Sequence, residues 1–421
     1  MLPKINDIIY REEIHMQAYI VRQPIMDANQ NVLGYDMLYY DENVTVVTDE
    51  EAAANAVSNI LTHVSSETMS GDKPAFLNFT WNLLERKVPA MFDKEKLVMI
   101  IEDSILIDPT SNERVLAYRK DGYKIAIADF QFLPRYFGIL DSIDYIRLNF
   151  KFGDYSSYEN IVKIATAFNK KVIAYNIDSQ EAYDKAKEIG CHYFQGSFVA
   201  EKLPTTIKKT DYLQGNFFML MVAVTREEVD YDEVSDIISR DVTLTFALLK
   251  LVNSAWFALR NKATTVKQAL VVLGVNQLKQ WIYLLSFKQS DGTMPDELIK
   301  LSFLRANFAQ ELSKLAKGLP ISESEAYLLG MFSTLGALTQ TSLEEVLKEL
   351  PISDYIKDAL VKHEGRCGLL YDVILAYEKG SWSAMSTAAE KLEIPSDAIG
   401  QKYLECVEMV NKIWVGIVKS E

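Results

Sequence analysis

The sequence predicts an α/β TIM-type barrel, in which one strand is antiparallel, followed by an all-α helical bundle. In the first half, short apolar runs alternate with helical patterns, and from the third run onward they recur at intervals of roughly 20 to 27 residues, the rhythm of βα units. In the second half, apolar residues recur at helical spacing between N-cap residues and glycines. Apolar residues make up 49% of the 421, which is ample for the cores of two or three domains.

Eight strands are predicted in the first half: Ala18–Arg22, Val32–Tyr39, Ala75–Phe79, Leu97–Ile101, Lys124–Ala128, Tyr145–Leu148, Lys171–Tyr175 and Tyr193–Gln195. Only Asp27–Asn31 separate the first two strands, which is too short for a crossover helix, so these two should run antiparallel. The outer ring of helices is predicted at Glu50–Thr62, Glu113–Lys120, Glu159–Asn169 and Gln180–Ile189.

The second half begins with four predicted helices between Asp230 and Phe287. Their predicted N-terminal residues are Asp230 (in a capping box with Glu233), Asp241, Thr265 (with Gln268) and Asn276, and Gly274 ends the third helix. The polar pair Asn253–Ser254 lies between the second and third helices and is predicted to satisfy buried backbone groups. Further helices are predicted at Leu301–Lys317, from Glu323 to Phe332, and from Ser342 to Ser420 with breaks at Pro351 and Pro395.

Composition excludes several function classes. The formal net charge of −14 argues against general nucleic-acid binding, which needs a basic surface. No apolar run reaches the roughly 18 residues of a membrane span, and the first 15 residues are too polar for a secretory signal, so a cytoplasmic protein is expected. The three cysteines and four histidines show no disulfide or metal-ligand spacing.

Short motifs follow the predicted strands of the first half. They are Gln23-Pro24-Ile25, Leu33-Gly34 followed by Asp36-Met37-Leu38, Asn78 on the third strand, Asp129-Phe130 after the fifth, Ile143 to Arg147 on the sixth, and Gln195-Gly196 with Pro204 beyond. In this order they resemble the EAL domain, the fold of cyclic di-GMP phosphodiesterases. The resemblance covers nearly the whole first half, and it implies a site at the carboxyl ends of the strands.

The resemblance also implies two divalent cations held by carboxylates, and several of those positions differ here. Asp36 stands for the signature glutamate, Met99 for the strand-four glutamate (or Glu102 in another register), Ala128 for the first aspartate of a pair, Arg147 for a lysine, Asn149 for an aspartate, Tyr175 for a glutamate and Tyr40 for an arginine that grips the nucleotide. Methionine and alanine cannot replace hard oxygen ligands, so no metal, cofactor or catalytic residue is expected. A vestigial nucleotide pocket is expected at Gln23, Asp36, Asn78, Glu102, Asp129, Arg147 and Gln195.

The residue pattern of the second half resembles that of the HDOD domain, a helical output module of bacterial signalling proteins. The residues in register are Ile238, Asp241, Leu244, Leu248, Leu249, Asn253, Ser254, Ala255, Phe257, Val266, Ala269, Leu273 and Gly274. We interpret Asp241, Asn253, Ser254 and Gly274 as a structural signature. Ser333-Thr334 stand where metal-dependent relatives carry a His-Asp pair, so no hydrolase site is expected in this half either.

These observations predict a degenerate EAL-like barrel at residues 1–205 and an HDOD domain at residues 206–421. The predicted function is a non-catalytic scaffold or adaptor in bacterial cyclic di-GMP signalling that binds other signalling proteins through the HDOD surface, with a homodimer left open. The alternatives are a nucleotide sensor that does not hydrolyse its ligand and, third, a weak phosphodiesterase. The link Thr205–Tyr212 lacks a Gly- or Ser-rich spacer, which favours a persistent contact between the domains, with Gln180–Ile189 as a candidate surface.

Overall fold

The structure is a computed structural model. It describes residues 18–41, 70–107, 109–130, 133, 138–151, 155–202, 220, 223–224, 226, 228–239, 245, 248–249, 251–253, 263–288, 296–339, 342–348 and 352–418. The predicted helix Glu50–Thr62, the link Thr205–Tyr212 and the signature residues Asp241 and Ser254 lie outside these residues. The domain boundary near residue 206 therefore stays a prediction.

Eight strands close into a barrel in sequence order. They are β1 (Ala18–Met26), β2 (Val32–Asp41), β3 (Ala75–Phe79), β4 (Leu97–Glu102), β5 (Lys124–Ala128), β6 (Tyr145–Asn149), β7 (Lys171–Tyr175) and β8 (Tyr193–Gln195). β1 is antiparallel to both of its neighbours, and the other adjacent pairs are parallel. The predicted barrel with one irregular strand is thus confirmed.

β1 and β2 form a ribbon that extends past the rest of the barrel. They pair from Met26–Val32 to Ala18–Asp41, but β1 pairs with β8 only at Ile25 and Met26. Likewise, β2 pairs with β3 only at Tyr35 and Asp36. Because β2 is parallel to β3, the unpaired half of the ribbon projects from the face where the parallel strands have their carboxyl ends.

The described barrel helices are α1 (Trp81–Glu85), α2 (Pro109–Asp121), α3 (Tyr158–Ala167), α4 (Gln180–Ile189) and α5 (Ser197–Lys202). The barrel interior is filled by Ile25, Phe76, Val98, Ile100, Ala126, Ala128 and Ile173. Since side chains alternate along a strand, Met99 lies on the opposite side of β4, in the layer between strands and helices. The interpretation of Met99 as a lost interior ligand is therefore wrong, and the interior positions of β4 are Val98, Ile100 and, by the same alternation, Glu102.

The bundle contains α6 (Tyr231–Ser239), α7 (Val266–Lys288), α8 (Asp296–Leu315), α9 (Glu323–Phe332), α10 (Leu335–Thr339), α11 (Leu343–Lys348), α12 (Asp354–Lys362), α13 (Gly365–Glu378), α14 (Trp382–Leu392) and α15 (Ser396–Val418). α7 is broken at Gly274, where φ is 72°, as the helix end predicted there requires. α8 and α9 pack closely at Gly330, where an added Cβ would lie 2.1 Å from the Arg305 carbonyl oxygen.

The predicted helix starts at Asp230, Thr265 and Glu323 are correct, whereas α8 begins at Asp296, before the predicted Leu301. Asp230 accepts hydrogen bonds from the backbone amides of Asp232 and Glu233, but the Glu233 carboxylate pairs with Arg226 rather than completing a capping box. Thr265 accepts from the Gln268 amide. The Asn253 side chain donates to the Ala263 carbonyl and accepts from the Ala263 amide, both at 2.8 Å, which is the backbone role predicted for it.

Candidate functional site

Asp36 and Arg147 form an ion pair inside the barrel. Arg147 Nη2 donates to Asp36 Oδ2 at 2.5 Å, and the two side chains are 4% and 2% exposed. The guanidinium also lies 4.5 Å from the centre of the Tyr175 ring. Because arginine keeps its charge at every relevant pH, Arg147 neutralises Asp36 in the place where the strand ends converge.

One atom of each partner is left over. Asp36 Oδ1 and Arg147 Nε are buried and have no hydrogen-bond partner within the part of the chain that the structure describes. A buried polar atom without a partner costs about 1–3 kcal/mol, and a charged one costs more. These two atoms are therefore where an additional polar group would be stabilised.

Asp129 and Tyr175 are also paired with each other. Tyr175 Oη donates to Asp129 Oδ1 at 2.6 Å, and Asp129 follows β5 in the left-handed conformation with φ of 51°. Burial, reinforced by the Asp129 carboxylate, raises the pKa of Tyr175. The phenol therefore stays protonated and donates its hydrogen bond to the Asp129 carboxylate.

The remaining strand ends contribute amides, one carboxylate and apolar side chains. Asn176 Nδ2 donates to Asn149 Oδ1 at 3.0 Å, and the Lys151 amide donates to the same oxygen at 3.1 Å. Glu102 is exposed at the end of β4, in register with Ala128, and Asn78 is half-buried on β3. The predicted pocket residues therefore lie at one end of the barrel, where they form separate pairs.

Gln195 and Gln23 form a chain of hydrogen bonds that runs from the barrel to the bundle. Gln195 Nε2 donates to Gln23 Oε1, and Gln23 Nε2 donates to the backbone carbonyl of Glu378 at 2.8 Å. Glu378 is the last residue of α13, and the last four carbonyls of a helix have no partner within it. A side chain of the barrel thus caps a helix of the bundle.

Arg305 of α8 is the centre of a second contact between barrel and bundle. It donates to the Glu378 carboxylate through Nε and Nη2, to Ser333 Oγ at 3.2 Å, and to Glu201 of α5 at 3.1 Å. Burial alone would lower the pKa of Arg305, but the charges of Glu378 and Glu201 outweigh that effect and raise it. Arg305 is therefore held as a cation although its side chain is only 2% exposed.

Aromatic side chains form the apolar part of the same interface. Tyr19 of β1 stacks on Trp382 with ring centres 5.3 Å apart and meets Tyr377 edge-on at 6.1 Å. Tyr377 Oη donates to the Ile20 carbonyl at 3.0 Å. Trp382, the first residue of α14, thus packs on the projecting ribbon of the barrel.

Two further polar contacts join the ribbon to the bundle. Tyr35 Oη donates to Glu297 Oε1 at 2.7 Å, and Arg22 Nη1 donates to Asn411 Oδ1 at 3.0 Å. A cavity of about 60 Å³ remains between the two bodies, lined in part by Arg22, Gln23, Glu201 and Arg305. A persistent contact between the domains was predicted. The contacts described above are made by β1, β2 and α5, and none of them involves the suggested Gln180–Ile189.

Sequence reasoning missed Glu201, Arg305 and Glu378. Arg305 carries a signal, because it interrupts the apolar run Leu301–Ala309 in the middle of a helix. The sequence gives no indication of its partners, which lie 104 and 73 residues away.

Across the residues that the structure describes, no three or more His, Cys, Asp or Glu side chains are grouped so that they could hold a metal ion. None of the helices described is long and apolar enough to cross a membrane.

Comparison with known proteins identifies both halves. Residues 49–202 match the EAL domain and residues 212–354 match the HDOD domain. The chain is 28% identical to the Bacillus subtilis protein YuxH over 94% of this chain and 99% of that protein. It is 27% identical to the cyclic di-GMP phosphodiesterase CdgJ of Vibrio cholerae over 94% of this chain and 92% of that protein.

Solved EAL structures resemble the barrel at low sequence identity. A standalone EAL protein of Vibrio cholerae O395 in its c-di-GMP-bound form has a TM-score of 0.35 and 16% identity, and covers 43% of this chain and 90% of its own. An EAL domain protein of Listeria monocytogenes has a TM-score of 0.35 and 16% identity, and covers 43% and 87%. From the two domain matches, the chain is an EAL and HDOD domain-containing protein, with an eight-stranded barrel followed by a helical bundle.

Proposed function

We propose that this protein acts in cyclic di-GMP signalling as a non-catalytic scaffold or adaptor that works through protein–protein contacts. The setting is supported by the EAL and HDOD domains and by the likeness to CdgJ, which is named a cyclic di-GMP phosphodiesterase. The non-catalytic role is supported by the ion pair between Asp36 and Arg147, which is the observation that carries the proposal.

The ion pair opposes a divalent cation for an electrostatic reason. Asp36 Oδ1 has no partner among the described residues, but the charge of this carboxylate is already neutralised by a guanidinium that cannot lose its proton. A cation bound beside Asp36 would also meet the positive charge of Arg147 in a buried environment, where repulsion is weakly screened. Asp36 is therefore a poor ligand as long as Arg147 occupies this place.

The neighbouring positions do not compensate for this loss. Ile100 and Ala128 are apolar interior residues, Asn149 accepts from two other groups, and Tyr175 donates to Asp129. Among the side chains that the structure describes, the carboxylates that remain beside these strand ends are Glu102, Asp129 and Asp178, and Asp178 accepts from Ser197. This donor set does not fit a pair of divalent cations, so we assign no reaction step to them.

A nucleotide sensor is the second candidate, favoured by the leftover atoms of the ion pair. Arg147 Nε is a charged donor and Asp36 Oδ1 an acceptor, and both are buried at the strand ends. An open groove of about 1240 Å³ borders the ends of β6 and β7, but its lining holds four carboxylates (Asp178, Glu181, Asp184 and Glu188) against two lysines (Lys151 and Lys185), which disfavours a phosphate there. The place for binding without hydrolysis is therefore the ion pair itself.

Hydrolysis is the third candidate, favoured by the named activity of CdgJ. For this chain it requires that Glu102 and Asp129 become metal ligands; Tyr175 donates to Oδ1 of Asp129 and leaves Oδ2 available. The variant Asp129→Asn is accordingly the specific control for any product.

One titration separates the three functions. The full chain is titrated with cyclic di-GMP in the presence of Mg²⁺ or Mn²⁺ while heat and linear product are followed. The adaptor predicts neither heat nor product. Heat without product supports the sensor, provided that Arg147→Met abolishes it and the exposed-site variant Lys163→Met does not. Product that scales with protein, survives repurification and disappears in Asp129→Asn overturns the non-catalytic proposal.

A further inference from the structure

We propose that the Gln195–Gln23–Glu378–Arg305–Glu201 ring couples the strand ends of the barrel to the polar centre of the bundle, so that a change at either end is transmitted to the other. This inference goes beyond the proposed function and does not depend on whether the barrel binds or hydrolyses a nucleotide.

The barrel side of the ring comes from one short segment. Gln195 ends β8 and Glu201 lies in α5, and the turn between them is made by Gly196. Gly196 has φ of 150°, and an added Cβ would lie 2.3 Å from the Ile177 carbonyl oxygen. Because only glycine fits this turn, the position of α5, and with it Glu201, is fixed relative to Gln195.

The bundle side of the ring is equally constrained. Arg305 lies on α8 where Gly330 allows α9 to approach its backbone, and Ser333 holds Nη1. Ser333 in turn donates to the Gly330 carbonyl at 2.7 Å. The guanidinium therefore has a fixed direction, and its remaining donors point at Glu378 and Glu201.

Glu378 is the residue where both contacts meet. Its backbone carbonyl accepts from Gln23, while its carboxylate accepts from Arg305, which also binds Glu201. A displacement of the barrel removes a cap from α13 and a carboxylate from Arg305 in the same movement. Since a buried guanidinium that loses a partner is costly, the two contacts break together, and this makes the ring a coupling element rather than two independent bonds.

The test is hydrogen–deuterium exchange on the intact chain, with Gln195→Leu as the variant at the barrel end. It breaks the bond to Gln23 without touching any bundle residue. We expect exchange in the C-terminal turn of α13 and in residues 330–334 to rise by roughly tenfold, the factor for losing about one net hydrogen bond. The matched control is Asn176→Ala, which loses the bond to Asn149 in the same layer of strand ends and makes no hydrogen bond to the described part of the bundle. Its effect should remain within the barrel.

The reciprocal variant keeps the proposal testable if Gln195→Leu does not fold. Glu201→Gln changes a side chain that is 22% exposed and removes one charge from Arg305. Coupling is reciprocal, so exchange should rise in residues 173–179, where the Asn176 amide donates to Gln195 Oε1. The proposal is overturned if each variant affects only its own body, or if Asn176→Ala raises exchange in α13 as much as Gln195→Leu does.

Discussion

Arg147 Nη2 lies 2.5 Å from Asp36 Oδ2 in the barrel interior, so a lysine-to-arginine difference from the EAL pattern and a glutamate-to-aspartate difference meet in one ion pair. The longer, forked side chain reaches from β6 across to β2, and the shorter carboxylate leaves room for it. This ion pair is the basis of the first prediction.

Arg147→Met should destabilise the protein by about 3–5 kcal/mol, because it leaves the buried Asp36 carboxylate without its cation. The free energy of unfolding is measured by urea denaturation of the intact chain. The double variant Asp36→Leu, Arg147→Met should be less destabilised than Arg147→Met alone, since it removes both charges. Lys163→Met, in an exposed pair with Glu159, serves as the control and should change stability little. If Arg147→Met behaves like that control, the ion pair does not stabilise the barrel.

Asn253→Ala should lower the stability by about 1–3 kcal/mol, because it leaves both backbone groups of Ala263 without the partner that the asparagine provides. Thermal unfolding measures the effect. Asn253→Asp keeps the acceptor for the Ala263 amide but sets a carboxylate oxygen against the Ala263 carbonyl, so at neutral pH it should be destabilised at least as much as the alanine variant. An unchanged melting temperature combined with loss of a partner protein would instead identify Asn253 as part of a contact surface.

Near-stoichiometric magnesium or manganese should be absent from protein purified without chelator. Asp36 is paired with Arg147, Asp129 accepts from Tyr175, and Ser333 binds Arg305 in the bundle. Elemental analysis of the purified chain makes the measurement. One equivalent of either cation, lost in Asp129→Asn or in Asp36→Asn, would contradict this expectation and would reopen hydrolysis.

The three cysteines should be unreactive in the folded protein. Burial raises the pKa of Cys191 and Cys406 to about 12 and that of Cys367 to about 11. A thiol whose pKa is raised in the folded state contributes stability that is fully present below its ordinary pKa near 9 and is lost as the pH rises toward 11 or 12. At pH 8 a thiol reagent should therefore label the native chain slowly and all three residues at once in denaturant. Rapid labelling of one native thiol would show that it is open to solvent.

The sequence predicted all eight strands and some of the helix limits correctly, because these depend on local periodicity and capping residues. Lys124–Ala128, Lys171–Tyr175 and Gln180–Ile189 agree residue for residue with the structure. The side of β4 on which the Met99 side chain lies could not be predicted from periodicity. Leu97–Ile101 is apolar at every position, since a central parallel strand is buried on both faces, and its pattern therefore does not reveal which side chains point inward.

The sequence predicted at which end of the barrel the candidate residues lie, but it did not predict which of them pair with each other. All the predicted pocket residues in the described ranges lie at the strand-end half of the barrel, because the motifs mark strand ends. Their pairings depend on distances between strands that are far apart in sequence, as for Asp36 and Arg147, which are separated by 111 residues. A contact between barrel and bundle was predicted, but its residues could not be, for the same reason: Tyr377 and Ile20, which meet there, are separated by 357 residues.

Separating residues 1–205 from residues 206–421 should destabilise at least one half. The cut exposes Tyr377, which is fully buried, together with Tyr19 and the apolar face of Trp382, and it leaves Arg305 without Glu201. Buried aromatic side chains each cover roughly 150–250 Å², so the free bundle would present an apolar patch that promotes aggregation. Thermal unfolding of each half is compared with that of the intact chain.

If a half cannot be produced, Tyr19→Ser in the intact chain is the substitute, and it should lower the melting temperature of the bundle although it lies in the barrel. Two soluble halves that melt as they do in the intact protein would show that this interface contributes no coupling, and regulation of the bundle by direct packing of the barrel would have to be abandoned.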